Sequence, residues 1–427
     1  MDSGEHQFKA TRDDFLAQAE AGPYPAFKDS SRMTAAAQAF LREVYDDAGP
    51  EEMVGLSAED LLTLAHDFWL WRTSDAEGGI RLRPGIGANG ATLHRDILEI
   101  AGPDMPFLVD SAMGELADHG LSAIAMFHPI VAEPGGKARQ SLIQIHLPPL
   151  SQSQGAALVE GMKATVADVH VSVKDFTAMK RRMTDCADEL SRSKAQVDRE
   201  DSAEAIALLR WLAADRFTFL GARDYVYARD ASGALTNEEP EILGETGLGL
   251  LRDPERYVLR RSAEPFMLTQ ELQRLVDDRT PLVVAKSTLR SRVHRRTAAD
   301  YIGVKRYDDA GMCVGETRFV GLFTSDAYNE MTRDIPVLRR KVEGVMDEAG
   351  FASGCHNHKT LAIILETYPR DELWQTDQHE LTRISRGILH LIDRPRPRVF
   401  LRRDRFNRFV SALAFLPKDR FNTALRE

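Results

Sequence analysis

The stretch from Leu93 to Leu147 decides the fold of this 427-residue chain. It reads LHRDILEIAG-PDMP-FLVDSAMGELADHG, then LSAIAMFHPIV, a Pro-Gly-Gly turn and SLIQIHL. Its apolar residues predict strands at Leu93–Gly102, Leu121–Val131 and Ser141–Leu147. Between the first two strands, the PDMP loop leads into a predicted helix over Phe107–Gly120, which ends at its glycine.

A long helix is predicted next, from about Ser153 through Ala195, with an interruption near Val169–Phe176. The resulting order is strand, helix, strand, strand, helix. This order begins a ferredoxin-like split unit, in which helices cover one face of an antiparallel sheet. The sequence therefore predicts an α+β module over residues 91–195.

The segment before this module, residues 1–90, is predicted to hold helices within residues 32–72, one of them capped by Ser57, and then a linker or exposed loop over Thr73–Gly90. That loop contains a GxGxxG pattern at Gly85, Gly87 and Gly90. A dinucleotide site requires such glycines to follow a strand and to open a helix. Because the next residues, ATLHRDILEI, are strand-like, a flexible loop is the favoured interpretation.

The remainder of the chain alternates between sheet and helix. Residues 196–330 predict a mostly antiparallel sheet packed by helices, of the size of a sensor-like α+β domain. Its predicted elements are a helix at Asp201–Asp215, strands at Phe217–Asp230, Leu282–Thr288, Asp300–Asp308 and Thr317–Thr324, a polar Gly-containing loop after Asp230, and a hairpin turn at Asp308–Gly311. Residues 331–397 predict three helices (334–349 with Asp334 as N-cap, 357–367 and 377–391). Residues 398–427 predict two strands and the start of a helix, which is typical of a fragment.

Composition excludes several classes of protein. The 55 Lys and Arg residues are outnumbered by 65 Asp and Glu, for a formal net charge of −10. This balance argues against a surface built for nucleic acid or anionic membrane. The polar N-terminus has no signal-peptide core, no run of about 18 apolar residues occurs, and the three cysteines are far apart. A cytoplasmic protein without disulfides or membrane association is expected.

The motif search predicts no catalytic residue, no cofactor-binding residue and no metal site in this chain. Cys355, His356 and His358 form a short cluster, but no second pair of ligands completes a tetrahedral zinc site. A loop that leads into a helix N-terminus is the favoured interpretation of GCHNHKT. No P-loop and no Gly-x-Ser-x-Gly motif occurs.

One basic tract stands out in this acidic chain. KSTLRSRVHRR contains Lys286, Arg290, Arg292, His294, Arg295 and Arg296. If the tract is extended, alternation places Arg290, Arg292, His294 and Arg296 on one side, a candidate site for an anionic ligand or an acidic partner surface. A solvated edge strand blunted by charge is the open alternative.

Several long motifs, taken together, resemble a known family. They are EIAGPDMPFLVDSAMGELADHGLSA, FLGARDY, AKSTLRSRVHRRTAADYIGVKRYD, RFVGLFTSDAYN, IPVLRRKVEGV, LETYPRDELWQ and VSALAFLPKDRFNTALRE. In this order they resemble the N-terminal region of the large-type bacterial NAD-dependent glutamate dehydrogenases. The similarity runs from about Leu61 to Glu427.

The resemblance implies a multi-domain α+β protein with regulatory and oligomer-forming modules. It implies an ACT-like module at 91–195, a PAS-like module at 196–330, a helical connector at 331–397 and a truncated second ACT-like module at 398–427. The catalytic region, which uses NAD, is expected to lie C-terminal to this chain. The expected partners are that region, other copies of the chain as a homo-oligomer, and a small-molecule effector, with no nucleic acid and no membrane.

The resemblance also points to an effector loop between the first ACT strand and helix. ACT modules that sense amino acids bind the carboxylate at this loop, where a glycine usually follows the proline. Here the candidate residues are Asp104, Pro106, Phe107 and Asp110. Since Phe107 replaces the glycine, its side chain is expected to fill the ligand space, and pairing of sheets between subunits is favoured over sensing.

The leading hypothesis is therefore a regulatory and oligomerisation region of an enzyme that converts L-glutamate, NAD and water into 2-oxoglutarate, ammonia and NADH. The first alternative is a free-standing ACT/PAS-type small-molecule sensor without its own catalysis. The second is a module that binds anions or nucleic acid through Lys286–Arg296.

Overall fold

A computed structural model describes most of the chain. It covers residues 13–15, 17, 35–46, 48–49, 52–74, 79–132, 139–194, 197–231, 233–236, 238–259, 280–404, 406 and 409–417. The chain divides into two compact units, one formed by Met1–His170 with Arg292–Arg296 and the other by Val171–Ser291 with Thr297–Glu427. Of the helices in these ranges, none is both long and apolar enough to cross a membrane.

The first unit combines helices with one antiparallel sheet. Its elements are α1 (Ala35–Glu43), α2 (Ala58–Ser74), β1 (Gly79–Ile86), β2 (Thr92–Pro103), α3 (Leu108–Asp118), β3 (Ala125–Phe127), β4 (Ile130–Ala132), β5 (Arg139–Leu147) and the first part of α4 (Gln152–Arg192). The strands lie in the order β1-β2-β5-β3, and β4 pairs with β5 beside β3. All pairs are antiparallel.

The alternating strands and the helix cap are confirmed. The predicted strands at Leu93–Gly102 and Ser141–Leu147 correspond to β2 and β5, and the helix between them is α3. Ser57 caps α2, because its hydroxyl accepts the Asp60 N–H while the Asp60 carboxylate accepts the Ser57 N–H, at 3.1 and 3.2 Å. This reciprocal pair is a capping box built with aspartate.

Two predictions around this sheet are wrong. The segment Thr73–Gly90, predicted as a linker, contains strand β1 at the sheet edge. Pro84 cannot donate a hydrogen bond to a sheet ladder, but an edge strand tolerates it. Because the composition of this segment resembles that of a loop, composition alone did not predict β1. The single strand predicted over Leu121–Val131 is divided into β3 and β4 at His128–Pro129, because proline interrupts the run of backbone donors.

The GxGxxG pattern joins two strands. Gly85 lies in β1, and the Gly87 N–H donates to the Ala91 carbonyl at 2.8 Å, which closes a turn with Gly90 at a φ of 79°. The glycines therefore form a β-hairpin, and a helix N-terminus for a pyrophosphate does not follow them. We favoured a flexible loop for this segment, whereas the structure places Gly85 in a strand and Gly87 and Gly90 in a hairpin turn.

The long helix is continuous. We expected an interruption near Val169–Phe176, but α4 runs from Gln152 to Arg192 without one. The β-branched Val169, Val171 and Val173 have a modest helix propensity. Val169 is fully buried, and such packing overrides a propensity cost of a few tenths of a kcal/mol per residue.

Both faces of the first sheet are buried. Phe40 from α1, together with Leu61 and Phe68 from α2, packs in one cluster with Ala101 and Leu142 of the sheet. Helices α3 and α4 also carry buried apolar residues.

A buried polar network shares the α1 and α2 face of this sheet. The fully buried Glu99 accepts from Arg83 Nη2 and Gln144 Nε2, both at 3.0 Å, and pairs with Arg81. His146 contacts Gln144 at 3.2 Å, and burial, with nearby arginine charge, lowers the pKa of His146 to about 3. Its carboxylate, amide and imidazole groups hydrogen-bond within the network, so we assign it a structural role.

The second unit is also mixed. Its elements after α4 are α5 (Arg199–Trp211), β6 (Phe217–Val226), β7 (Glu241–Gly249), β8 (Leu282–Arg290), β9 (Ala298–Tyr307), β10 (Cys313–Phe323), α6 (Ser325–Asn329), α7 (Leu338–Ala349), α8 (His356–Thr367), α9 (Arg370–Gln375), α10 (Gln378–Asp393), β11 (Arg398–Arg403) and β12 (Val410–Phe415). Strands β6 to β10 form an antiparallel sheet in the order β7-β6-β10-β9-β8, and β11 pairs with β12.

The core of the second unit lies between this sheet and the helices. Phe219 of β6 and Phe319 of β10 pack in one cluster with Leu208 of α5, Leu365 of α8 and Ile388 of α10. The predicted strands in this region and the Asp308–Gly311 turn are confirmed, since the Asp308 N–H donates to the Met312 carbonyl at 3.0 Å.

Three details of the second unit differ from or extend the predictions. Strand β7 lies in the polar Gly-containing stretch that was predicted as a loop. Helix α7 begins at Leu338, after Val337 at a φ of 69°, so the predicted N-cap role of Asp334 is wrong. Asp377 does cap α10, while the helix predicted within NTALRE lies outside the described residues.

Candidate functional site

The loop between β2 and α3 holds the predicted effector residues. Asp104 and Pro106 are exposed, and the Asp104 N–H donates to the Arg139 carbonyl at 2.9 Å. Phe107 directly precedes α3 and adopts the left-handed conformation (φ 73°, ψ −2°) that normally favours glycine. The Ser111 hydroxyl donates to the Phe107 carbonyl at 2.5 Å, which ties this residue to the first turn of the helix.

His294 of the basic tract lies on this loop. Its Nδ1 is 2.9 Å from Asp110 Oδ2, and its ring centroid is 5.1 Å from that of Phe107. Its backbone N–H donates to the Ser111 hydroxyl at 2.9 Å. Two separate candidate sites from the sequence, the effector loop and the basic tract, therefore meet here within the first unit.

Arg296 anchors the same segment one turn further along α3. Its Nη2 donates to Glu115 Oε2 at 2.6 Å, to Thr165 Oγ1 of α4 at 3.1 Å and to the Ser111 carbonyl at 3.2 Å. Its Nε lies 3.4 Å from Asp118 Oδ2. Since the Arg296 and Glu115 side chains are only 12% and 8% exposed, the pair is shielded from solvent.

Glycines make room for this pair. A Cβ at Gly114 in α3 would lie 2.9 Å from Arg296 Nε, and a Cβ at Gly161 in α4 would lie 2.0 Å from Glu115 Oε1. The second distance is shorter than real Cβ contacts allow, so a side chain at residue 161 would displace the carboxylate. Glycine at these two positions therefore leaves the space that the ion pair occupies between the helices.

Opposing effects act on the charge of Glu115. Burial alone would raise the pKa of its carboxyl group, but the Thr165 hydroxyl at 2.6 Å, the charge of Arg296 and His119 together lower that pKa below its ordinary value. Glu115 therefore remains ionised at neutral pH and holds Arg296 by charge as well as by hydrogen bonds.

The predicted single row of basic side chains is wrong. The extended conformation ends with β8 at Arg290, and the chain then turns, with His294 at a φ of 64°, so alternation does not continue. Arg290 and Arg292 are exposed. Lys286 belongs to the second unit, where its Nζ lies 2.6 Å from Asp300 Oδ1 and 3.0 Å from Asp371 Oδ2.

Sequence reasoning missed Ser111, Glu115 and Thr165. The only local signal was the spacing of Ser111, Glu115 and Asp118, which places three oxygen-bearing side chains on one face of α3. Nothing local links them to Arg296, because 181 residues separate it from Glu115.

The other candidate cluster is a helix cap. Cys355 precedes α8, and its sulfur accepts the His358 N–H at 3.4 Å, so the prediction of a loop leading into a helix N-terminus is confirmed. Among the residues that the structure describes, no group of three or more His, Cys, Asp or Glu side chains is arranged to hold a metal ion.

The polar groups of this site in the first unit are occupied by contacts within the chain. The Ser111 hydroxyl both donates and accepts, the Glu115 carboxylate is paired, and the Phe107 ring contacts His294. These groups stabilise the start of α3 and cover it with residues 292–296, at the position where a sensing ACT module would expose its loop.

Models of known protein families match three parts of the chain. Three family models match: "Glutamate dehydrogenase, ACT1 domain" at residues 40–183, "Glutamate dehydrogenase, helical motif 1" at 335–394 and "Glutamate dehydrogenase, ACT2 domain" at 398–427. Together they cover more than half of the chain. The chain belongs to the glutamate dehydrogenase family with these ACT and helical-motif domains.

Curated relatives of the chain are NAD-specific glutamate dehydrogenases. NAD-specific glutamate dehydrogenase from Halomonas elongata is 37% identical over 368 residues, which are 81% of this chain and 22% of the relative. The enzyme from Pseudomonas aeruginosa is 34% identical over 415 residues, 91% of this chain and 25% of the relative. That from Mycobacterium tuberculosis is 31% identical over 292 residues, 67% of this chain and 16% of the relative. The chain resembles the N-terminal region of these large enzymes and spans about a quarter of their length or less.

The family matches divide the site of this glutamate dehydrogenase homologue, since His294 and Arg296 lie outside the ACT1 match. Residues Asp104–Thr165, which supply the loop, α3 and the start of α4, lie inside the ACT1 match. Helices α7 to α10 lie inside the match to helical motif 1, and β11 opens the match to ACT2.

Proposed function

We propose that this chain is the regulatory and oligomerisation region of an NAD-dependent glutamate dehydrogenase. The parent enzyme would convert L-glutamate, NAD and water into 2-oxoglutarate, ammonia and NADH. NAD and glutamate would bind in a catalytic region outside this chain. The parent enzyme would act in the cytoplasm. The proposal rests on the matches to the glutamate dehydrogenase ACT and helical-motif domains and on the similarity to NAD-specific relatives.

The geometry of the β2–α3 loop favours assembly over amino-acid sensing. Phe107 fills the place of the usual glycine, and residues 292–296 cover the start of α3. An amino acid would have to displace the His294–Asp110 pair and the aromatic contact before its carboxylate could reach the helix N-terminus. We infer that the ACT1 domain serves as a scaffold for contacts between subunits.

The second unit supports the proposal of a PAS-like module at 196–330. In its five-stranded antiparallel sheet, the first strand β6 and the last strand β10 pair at the centre, an arrangement typical of PAS modules. We retain 331–397 as a helical connector and 398–427 as the start of a second ACT-like module.

Two measurements test the proposed function. The first is glutamate-dependent reduction of NAD, followed at 340 nm, with the 427-residue chain alone, for which we expect no activity above buffer. NADH formation by this chain would overturn the assignment of catalysis to another region. The second is the mass in solution by light scattering, for which we expect a homo-oligomer.

A thermal-shift series separates this role from the alternative of a free-standing ACT/PAS sensor. A sensor would be stabilised by its amino acid through mass action. The scaffold predicts an unchanged melting temperature with each L-amino acid. A specific rise with one of them would favour the sensor.

A further inference from the structure

A basic groove lies in the second unit, away from the residues discussed so far. It has a volume of about 490 Å³ and is bordered by the exposed face of α10, the end of α7, the start of α8 and the first residue of β11. The proposed assembly function does not use it.

Helix α10 presents a basic stripe to this groove. His379, Arg383, Arg386 and His390 follow one another at intervals of four, three and four residues, which places them on one helix face, and all four are exposed. The first two are already paired, His379 with Glu348 at 3.0 Å and Arg383 with Glu380.

Arg386 and Arg398 have no carboxylate partner within the described part of the chain. Arg386 Nη2 donates to the Ala349 carbonyl at 3.2 Å, and its guanidinium lies 5.7 Å from the centroid of the Phe351 ring. Arg398 lies over the Phe400 ring at 4.7 Å. These contacts position two guanidinium groups and leave part of their hydrogen-bonding capacity unused, since each carries five N–H donors.

A glycine lets β11 approach α10 closely beside the groove. A Cβ at Gly387 in α10 would lie 2.9 Å from two atoms of the Phe400 ring and 3.5 Å, an ordinary contact distance, from the guanidinium carbon of Arg398. The absence of a side chain there makes room for the Phe400 ring, over which Arg398 lies. By contrast, Arg339 and Arg402 of the same unit make ion pairs with Glu204 and Glu372.

We propose that this groove binds a small anion with two or more negative charges, held between Arg386 and Arg398. Carboxylates and phosphates share the geometry that a guanidinium recognises with two parallel hydrogen bonds. His390 would add a third donor, while Asp393 and Glu348 at the rim disfavour ligands that extend beyond the basic patch. A small metabolite carrying a phosphate ester or several carboxylates fits this description.

The test uses isothermal titration calorimetry on the complete 427-residue chain with two probes, inorganic pyrophosphate and citrate. We expect one binding site per chain, with weaker binding at higher NaCl concentration. Arg386→Gln and Arg398→Gln should each weaken binding about tenfold or more, because each removes a charge-assisted contact. Binding of pyrophosphate alone would assign a phosphate ligand, and binding of citrate alone a polycarboxylate.

Matched variants separate recognition from net charge and from folding. Arg403→Gln changes an exposed arginine on the same strand as Arg398 and should bind as the wild type does. Arg386→Lys keeps the charge but loses the planar fork, and should bind less tightly than the wild type. Each variant should melt at the wild-type temperature without ligand. The proposal is overturned if neither probe binds, or if Arg403→Gln weakens binding as much as Arg386→Gln does.

Discussion

Phe107 and His294 both adopt left-handed backbone conformations, with φ of 73° and 64°, and their rings lie 5.1 Å apart. A non-glycine residue pays roughly 1–2 kcal/mol for such a conformation. One hydroxyl group connects the two positions, because Ser111 Oγ donates to the Phe107 carbonyl and accepts the His294 N–H. These two hydrogen bonds stabilise the strained backbone at both residues. We call the contact of Phe107, Ser111 and His294 a junction, and it also covers the start of α3.

Replacement of Phe107 by glycine should open this junction to ligands. The change removes the strain at φ 73° and loses the ring contact, which is worth about 0.5–1.5 kcal/mol, so the free energy of unfolding should change by less than about 1 kcal/mol. We expect Phe107→Gly to show a rise in melting temperature with at least one L-amino acid, measured by differential scanning fluorimetry. Phe107→Leu, which keeps a bulky side chain, is the control and should not respond. A wild-type chain that responds as strongly as Phe107→Gly would contradict the inference.

The contrast between local and distant signals explains what the sequence could predict. Alternation predicted β2 and β5, and the cap residue Ser57 predicted a helix start, because each signal lies within a few neighbouring residues. Strand β1 escaped prediction since it is stabilised by pairing with β2 and its own composition resembles a loop. The continuity of α4 likewise depends on burial of Val169, which no local propensity reports.

The candidate site likewise combines features that local sequence signals predicted with contacts that they could not predict. The sequence singled out Phe107 as an unusual residue at a position where the family usually has glycine, and the basic tract as an unusual charge density. Their meeting at Asp110 depends on a turn after Arg290 and on contacts across more than 180 positions in the chain. Such contacts arise from tertiary structure alone, and the assumption of an extended tract led to the wrong row of arginines.

The Arg296–Glu115 pair should make stability fall in acid. The folded-state pKa of Glu115 is lowered, so its contribution is complete above the ordinary value of 4.5 and is lost as the pH falls through the folded-state value. Arg296→Met leaves a buried carboxylate without its partner and should cost about 3 kcal/mol at pH 7. Urea unfolding at pH 7 and pH 4 measures both effects.

Two variants sharpen that measurement. Glu115→Gln keeps the shape but cannot ionise, so its loss of stability between pH 7 and pH 4 should be smaller than that of the wild type. Lys163→Gln removes the exposed ion pair with Glu160 and should leave unfolding unchanged. Equal stability of Arg296→Met and the wild type would show that the pair contributes nothing.

Gly161→Ala should destabilise the chain although alanine is the better helix former. The new Cβ would lie 2.0 Å from Glu115 Oε1, and Thr165 and Arg296 hold that carboxylate in place. The gain in helix propensity is about 1 kcal/mol, while overpacking of a constrained site costs about 1–3 kcal/mol. Gly155→Ala on the same helix meets only the end of the Leu82 side chain at 2.8 Å and should not lower stability. The melting temperature of Gly161→Ala should therefore be lower than that of Gly155→Ala, and equal values would contradict the prediction.

The three cysteines should differ in reactivity. Burial raises the pKa of Cys186 to about 12 despite the nearby Arg182, and burial also raises the pKa of Cys313, whereas Cys355 is partly exposed at the start of α8. Because the thiolate is the reactive form, the native chain should react with Ellman's reagent at one thiol quickly and at three in urea. Cys355→Ser, which retains a capping oxygen, should lose the fast phase and keep the fold. A fast phase that survives this substitution would mean that Cys186 or Cys313 reaches solvent, which is incompatible with the packing of the second unit around them.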